Sequence, residues 1–126
     1  TVTNGTVANC DVGIKLGSKG RGSHEVSDVS ISSSTVGMVV PSDNSWVHRN
    51  TIVASEGGIQ IGGNGALIGS NTVSVAEGHG IELLEDAEAI NILRNNVEYG
   101  PNHQCVFVPE GLSDITERRN MCNMHE

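Results

Sequence analysis

Glu82 and Lys15 are this chain's candidates for acid–base chemistry, and Arg49, Arg94 and Arg119 are its candidates for holding an anion. Lys15 and Glu82 occupy the same place in two similar phrases, Gly13-Ile14-Lys15-Leu16 and Gly80-Ile81-Glu82-Leu83. A carboxyl and an amine on one face can serve as general acid and base. The intervening copies of the phrase put Val39 and Gln60 between them, and Phe107 follows in the last copy. Glycoside hydrolysis asks for two carboxyl groups at a controlled separation, and Glu82 has no second acid in its own phrase. The Asp residues, 11, 28, 43, 86 and 114, never occur as a neighbouring pair. The residues therefore favour a non-catalytic chain over an enzyme.

Arg49, Arg94 and Arg119 each directly precede an Asn, so they are expected to share one face, with Ser70 between the first two. Guanidinium groups bind carboxylates bidentately, which would suit an acidic sugar. Salt bridges to neighbouring Glu residues, or solubility alone, are the other readings of the same file. His24, His48, His79, His103 and His125 show no i,i+4 or other metal spacing and read as scattered surface histidines. The acidic run Glu82, Glu85, Asp86 and Glu88 lacks a calcium loop and reads as a solvated corner. No metal and no cofactor are implied. Cys10, Cys105 and Cys122 match no zinc pattern. They read as buried or idle thiols, or as a link between subunits through Cys10 in the first repeat and Cys122 in the last; register speaks against the link, since Cys122 aligns with the inward Ile52 and Val73 and Cys10 with turn residues near Glu56 and Glu77.

What must position these side chains is a repeat. Asn50-Thr51-Ile52 leads to Gly58-Ile59-Gln60-Ile61, and Asn71-Thr72-Val73 leads to Gly80-Ile81-Glu82-Leu83. Fainter copies surround them, with Asn-type positions at 4, 28, 50, 71, 95 and 120, separated by 24, 22, 21, 24 and 25 residues. A period of this size with small-residue turns signals a solenoid. Alternation in Thr72-Val73-Ser74-Val75 and Asn96-Val97-Glu98-Tyr99 marks strands with one buried face. Gly57-Gly58, Gly62-Gly63-Asn64-Gly65 and Pro101-Asn102-His103 mark corners. The segment from Leu83 to Leu93 reads as a helix or a widened corner.

Stacked turns would place Ile52, Val73 and Val97 in one inward column, and Ile14, Met38, Ile59, Ile81 and Val106 in another. Asn50, Asn71 and Asn95 would form a buried amide ladder, since each amide carries donors and an acceptor for its neighbours. Only Trp46, Tyr99 and Phe107 are aromatic, too few for an ordinary globular core but enough for a column of Ile, Val and Leu.

The formal charge of −8, from 15 acidic against 7 basic residues, argues against nucleic-acid binding. No apolar run approaches a membrane span. At 126 residues the chain forms one domain.

Phrases such as Asn71-Thr72-Val73-Ser74 with Gly78-His79-Gly80-Ile81-Glu82-Leu83 resemble the right-handed parallel β-helix repeat of the pectate-lyase-like superfamily. The resemblance is clearest from residue 46 to 108. It implies an all-β solenoid of five to six turns, 21–25 residues each, with three short strands per turn. Right-handedness comes from the resemblance and from the general chirality of parallel crossovers. Members include lyases, hydrolases, epimerases, tailspikes and adhesins, so the fold does not name an activity. The paired-Asp motif of the galacturonan hydrolases and the Asp-Pro-His-Asp signature of the alginate epimerases are both missing here.

Neither end of the sequence reads as a cap, so the expectation is a β-helix without caps or a segment of a longer one. The leading expectation is an extracellular or cell-surface structural module that self-associates head-to-tail into filaments through its end turns. The alternative is a carbohydrate-active enzyme or glycan-binding module with an acidic polysaccharide as partner.

Overall fold

The protein, seen in a computed structural model that describes residues 1–17 and 24–124, winds into a parallel β-solenoid of about five turns. The first turn carries β1 (Val2–Thr3), β2 (Thr6–Ala8) and β3 (Val12–Lys15). The second carries β4 (Glu25–Ser27) and the long β5 (Ser30–Val40), and the third β6 (Trp46–His48) and the long β7 (Thr51–Ile61). The fourth carries β8 (Leu67–Gly69), β9 (Thr72–Val75) and β10 (His79–Leu83). The fifth carries β11 (Ile90–Leu93), β12 (Asn96–Tyr99) and β13 (Val106–Phe107), and β14 (Ile115–Arg118) and β15 (Met121–Met124) begin another. Among the described residues there is no helix. Within the segment from Leu83 to Leu93, residues 84–89 form a widened corner between β10 and β11, closed by Ala87 N–H donating to Leu84 O at 3.0 Å.

Each strand pairs in parallel with its copy in the next turn, because a strand of one turn lies about 4.8 Å from that copy. A first face stacks β1, β4, β6, β8, β11 and β14. The second and third faces belong to one continuous sheet, since β5 and β7 run round the corner between them. Their pairing shifts register on either side of Ser34, which is how an unbroken strand turns a corner.

Inside, equivalent residues form columns. Val26, Val47, Ile68 and Ile92 stack behind the first face. Ile31, Ile52, Val73 and Val97 stack behind the second, and Met38, Ile59 and Ile81 behind the third. All of these side chains are 0 or 1% exposed. Burying each Ile or Val contributes about 1.5–3 kcal/mol. No aromatic ring is among the fully buried side chains, as the composition suggests.

The amide ladder is present and runs from Asn50 through Asn71 and Asn95 to Asn120. Asn71 Oδ1 accepts from both the N–H and the Nδ2 of Asn50, at 3.0 Å each, and Asn71 Nδ2 donates to Val47 O and Asn95 Oδ1. The repeat's first two Asn-type positions, 4 and 28, are out of register with this ladder by one residue. Asn4 and Asp28 have φ of 56° and 55° and align with Arg49, one residue before the ladder. In the second turn the ladder position is held by Val29, whose N–H donates to Asn50 Oδ1 at 3.1 Å. Asn and Asp tolerate the left-handed conformation of that corner as well as Asn suits the ladder, so residue type alone misplaces them by one.

The cysteines also require correction. Cys105 and Cys122 are joined within the chain, with Cα atoms 5.7 Å apart, and only Cys10 is free and exposed among the described residues. Cys122 does align with Val97, Val73 and Ile52. What the sequence reading missed is that Cys105 faces that same column.

Candidate functional site

On the first face, residues flanking the inward column point outward. One outward row is Glu25, Trp46, Leu67, Asn91 and Thr116, and the other is Ser27, His48, Gly69, Leu93 and Arg118. At the corner that follows, Asp28, Arg49, Ser70, Arg94 and Arg119 all adopt φ near +55°. A left-handed non-glycine residue costs roughly 1–2 kcal/mol. The neighbouring ladder Asn supplies several buried hydrogen bonds of about 1 kcal/mol each, which offsets that strain. The same geometry aims the corner side chains outward, over the edge of the first face.

Between these rows lies a groove of about 600 Å³ lined by Trp46, His48, Leu67, Gly69 and Leu93, with Arg49, Ser70, Arg94, Arg118 and Arg119 along it. This volume lies within the range of small-ligand sites. Trp46 is 45% exposed and stacks on the His48 ring, with centroids 3.8 Å apart and planes at 16°. His48 is itself buried and fixed by Glu25, whose Oε2 lies 2.7 Å from Nε2. His48 is therefore not a scattered surface histidine. It belongs to a rigid platform, and its spacing of two from Trp46 along a strand is the signal that puts both on one face.

The charge distribution is uneven. Four of the chain's seven Lys and Arg residues line this groove, while the chain as a whole carries −8. Arg49 shares a bidentate pair with Asp28 at 3.3 and 3.2 Å, but both groups are well exposed and the pair is worth about 0–1 kcal/mol. Among the described residues no carboxylate pairs with Arg94, Arg118 or Arg119. The three arginines singled out in the sequence thus share one face with Ser70, and Arg118, which the sequence reading passed over, joins them from β14.

Lys15 and Glu82 lie on the third face, in the outward row Lys15, Val39, Gln60, Glu82 and Phe107. Three strand spacings separate them, about 14 Å, too far for an acid and base to act on one bond. Glu82 instead accepts from Gln60 Nε2 at 3.5 Å. Beside it, His79 stacks on Phe107 at 4.5 Å and meets the edge of His103 at 5.0 Å. Gln104 N–H donates to His79 Nδ1 at 2.9 Å, so the neutral ring carries its proton on Nε2. Burial lowers the His79 pKa below 6.5, with the Glu82 carboxylate opposing that shift. His125 lies outside the described residues.

The family profile described as "right handed beta helix region" matches residues 1–120. No curated protein and no solved structure matches the chain.

Proposed function

Because this chain belongs to the right-handed β-helix family, we propose that it is a non-catalytic β-helix module that binds an acidic polysaccharide in the groove of its first face. The observation that carries this reading is the gathering of Arg49, Arg94, Arg118 and Arg119 around the Trp46–His48 stack in an otherwise acidic chain. Arginine forks recognise carboxylates bidentately, and an indole face packs against the apolar face of a sugar ring. Among the described residues, none that lines the groove carries a carboxyl group to act as acid or base in glycoside hydrolysis, which favours binding over that cleavage. Successive turns about 4.8 Å apart present the arginines as a file along the axis, a form suited to a polymer with regularly spaced charges.

Calorimetry with polygalacturonate and alginate, against neutral dextran, tests this reading. Saturable binding of the acidic polymers that weakens with salt is expected, with no release of shortened products. Equal binding of dextran, or product release, contradicts it. The Cys105–Cys122 disulfide supports an extracellular or cell-surface location, where such links persist.

A second reading is association through the faces at the ends of the coil. It is favoured by the large apolar side chains Met121 and Met124 on β15, which are 63 and 54% exposed among the described residues. Sedimentation across a concentration series checks it, and a species of constant mass at all concentrations argues against it.

A further inference from the structure

Gly69 sits at the middle of the groove floor, between His48 of one turn and Leu93 of the next. A glycine inside a strand weakens it, so its presence calls for a reason, usually a positive φ or a crowded neighbour. Gly69 has neither. It is not among the residues of positive φ, and a Cβ built on it would meet only Leu93 O, at an ordinary 3.5 Å. Gly58 and Gly80, by contrast, face Val73 and Val97 so closely that a Cβ would collide with them. The inward glycines are explained by packing, and Gly69 is not.

What the missing side chain creates is a slot. His48 and Leu93 are two strand spacings apart, about 10 Å between backbones, and the strand position between them carries no side chain. The Trp46–His48 stack bounds this slot on one side and Leu93 on the other. Arg94 and Arg118 flank the Leu93 side, and no carboxylate among the described residues occupies them.

We propose that Gly69 is the floor of a subsite for a single carboxylated pyranose, its ring held between the His48–Trp46 stack and Leu93 and its carboxylate on Arg94 and Arg118. This inference rests on the groove being the polysaccharide site, and adds which position selects the ring. Gly69 is then a specificity-determining residue that excludes rings or branches too bulky for the slot.

The test uses a galacturonate trimer as probe, with its carboxyl-reduced counterpart as control, against the unaltered chain, Gly69→Ala and Gly69→Leu. Circular dichroism and thermal melting report the fold of each. The expected result is unchanged or slightly raised melting temperature in both variants. Affinity for the trimer falls about threefold in Gly69→Ala and at least tenfold in Gly69→Leu, and the reduced trimer binds at least tenfold more weakly than the acidic one. Gly69→Leu binding within twofold of the unaltered chain overturns the subsite while leaving the groove reading in place. A drop of several degrees in melting temperature for both variants also overturns it, since the fold would then require the glycine. An unaltered chain that binds neither the trimer nor acidic polymers refutes the groove reading itself, and the subsite with it.

Discussion

Cys105 and Cys122 stand at the register positions that Gly80 and Val97 hold one turn earlier. In each earlier turn a glycine of the third face looks directly at a β-branched residue of the following turn: Gly13 at Ile31, Gly37 at Ile52, Gly58 at Val73, Gly80 at Val97. In the last turn that packing contact is replaced by a covalent one. The disulfide is thus built into the winding of the coil, and it ties β15 to the strand entering the third face.

Closing a loop of 17 residues stabilises the fold by about 3 kcal/mol in the chain-entropy account. Cys122→Ser is expected to remove most of that, and to act locally. Hydrogen exchange should show the Ile115–Arg118 and Met121–Met124 amides losing protection first, while those of Thr51–Ile61 stay protected. Uniform loss along the coil would show instead that the disulfide holds the whole solenoid.

The amide ladder predicts a gradient. Asn71→Ala leaves the Asn50 N–H and the Val47 carbonyl without their buried partner, at a cost of about 3–5 kcal/mol in all. Asn120 is half-buried at the end of the ladder, so Asn120→Ala should cost about 1–2 kcal/mol. Urea unfolding of the two variants measures the difference, and equal losses would contradict the ladder's cooperativity.

His79 makes stability depend on pH in a set direction. Its folded pKa lies below 6.5 because burial disfavours the charged ring, and protonation at Nδ1 would also displace the Gln104 N–H. The unfolded chain therefore binds more protons than the folded one between the folded pKa and 6.5. Stability contributed by this ring is full above 6.5 and declines as pH falls through that window. Titration of the His79 ring by NMR should give a midpoint below 6.5, and His79→Gln should flatten the decline. A midpoint above 6.5 would show the Glu82 carboxylate to be the stronger influence.

The arginines should not contribute equally. Arg49 is already engaged with Asp28, so Arg49→Ala is expected to weaken uronate binding about threefold. Arg94→Ala and Arg118→Ala each remove a guanidinium that no carboxylate among the described residues engages, and should cost about tenfold, near 1.4 kcal/mol. Each should also lower the salt dependence of affinity in a calorimetric series. A larger loss at Arg49 would place the anion nearer the Asp28 end of the groove.

Most of the architecture is legible in the residues because the periodicity is carried by packing. Ile52, Val73 and Val97 recur where an inward column needs them, and their positions give the register directly. Asn4 and Asp28 misled because two adjacent positions, the left-handed corner and the ladder, accept similar residues for different physical reasons. The disulfide became visible only once two faces were wound together, since Cys105 and Cys122 lie on different strands. The groove was half legible. Arg49, Arg94 and Arg119 announced themselves by their place before Asn, but Arg118 and the partnership of Trp46, His48 and Glu25 depend on which strand edges face outward.

Trp46 is the chain's single tryptophan, so its fluorescence reports on the groove alone. Titrating the protein with a galacturonate oligomer therefore reads uronate binding in the groove itself. A saturable change in Trp46 emission is expected, weakened at least tenfold by the combined substitution Arg94→Ala and Arg118→Ala, with melting temperature unchanged. Emission that stays flat to millimolar oligomer, or a titration indifferent to the loss of both arginines, would contradict it.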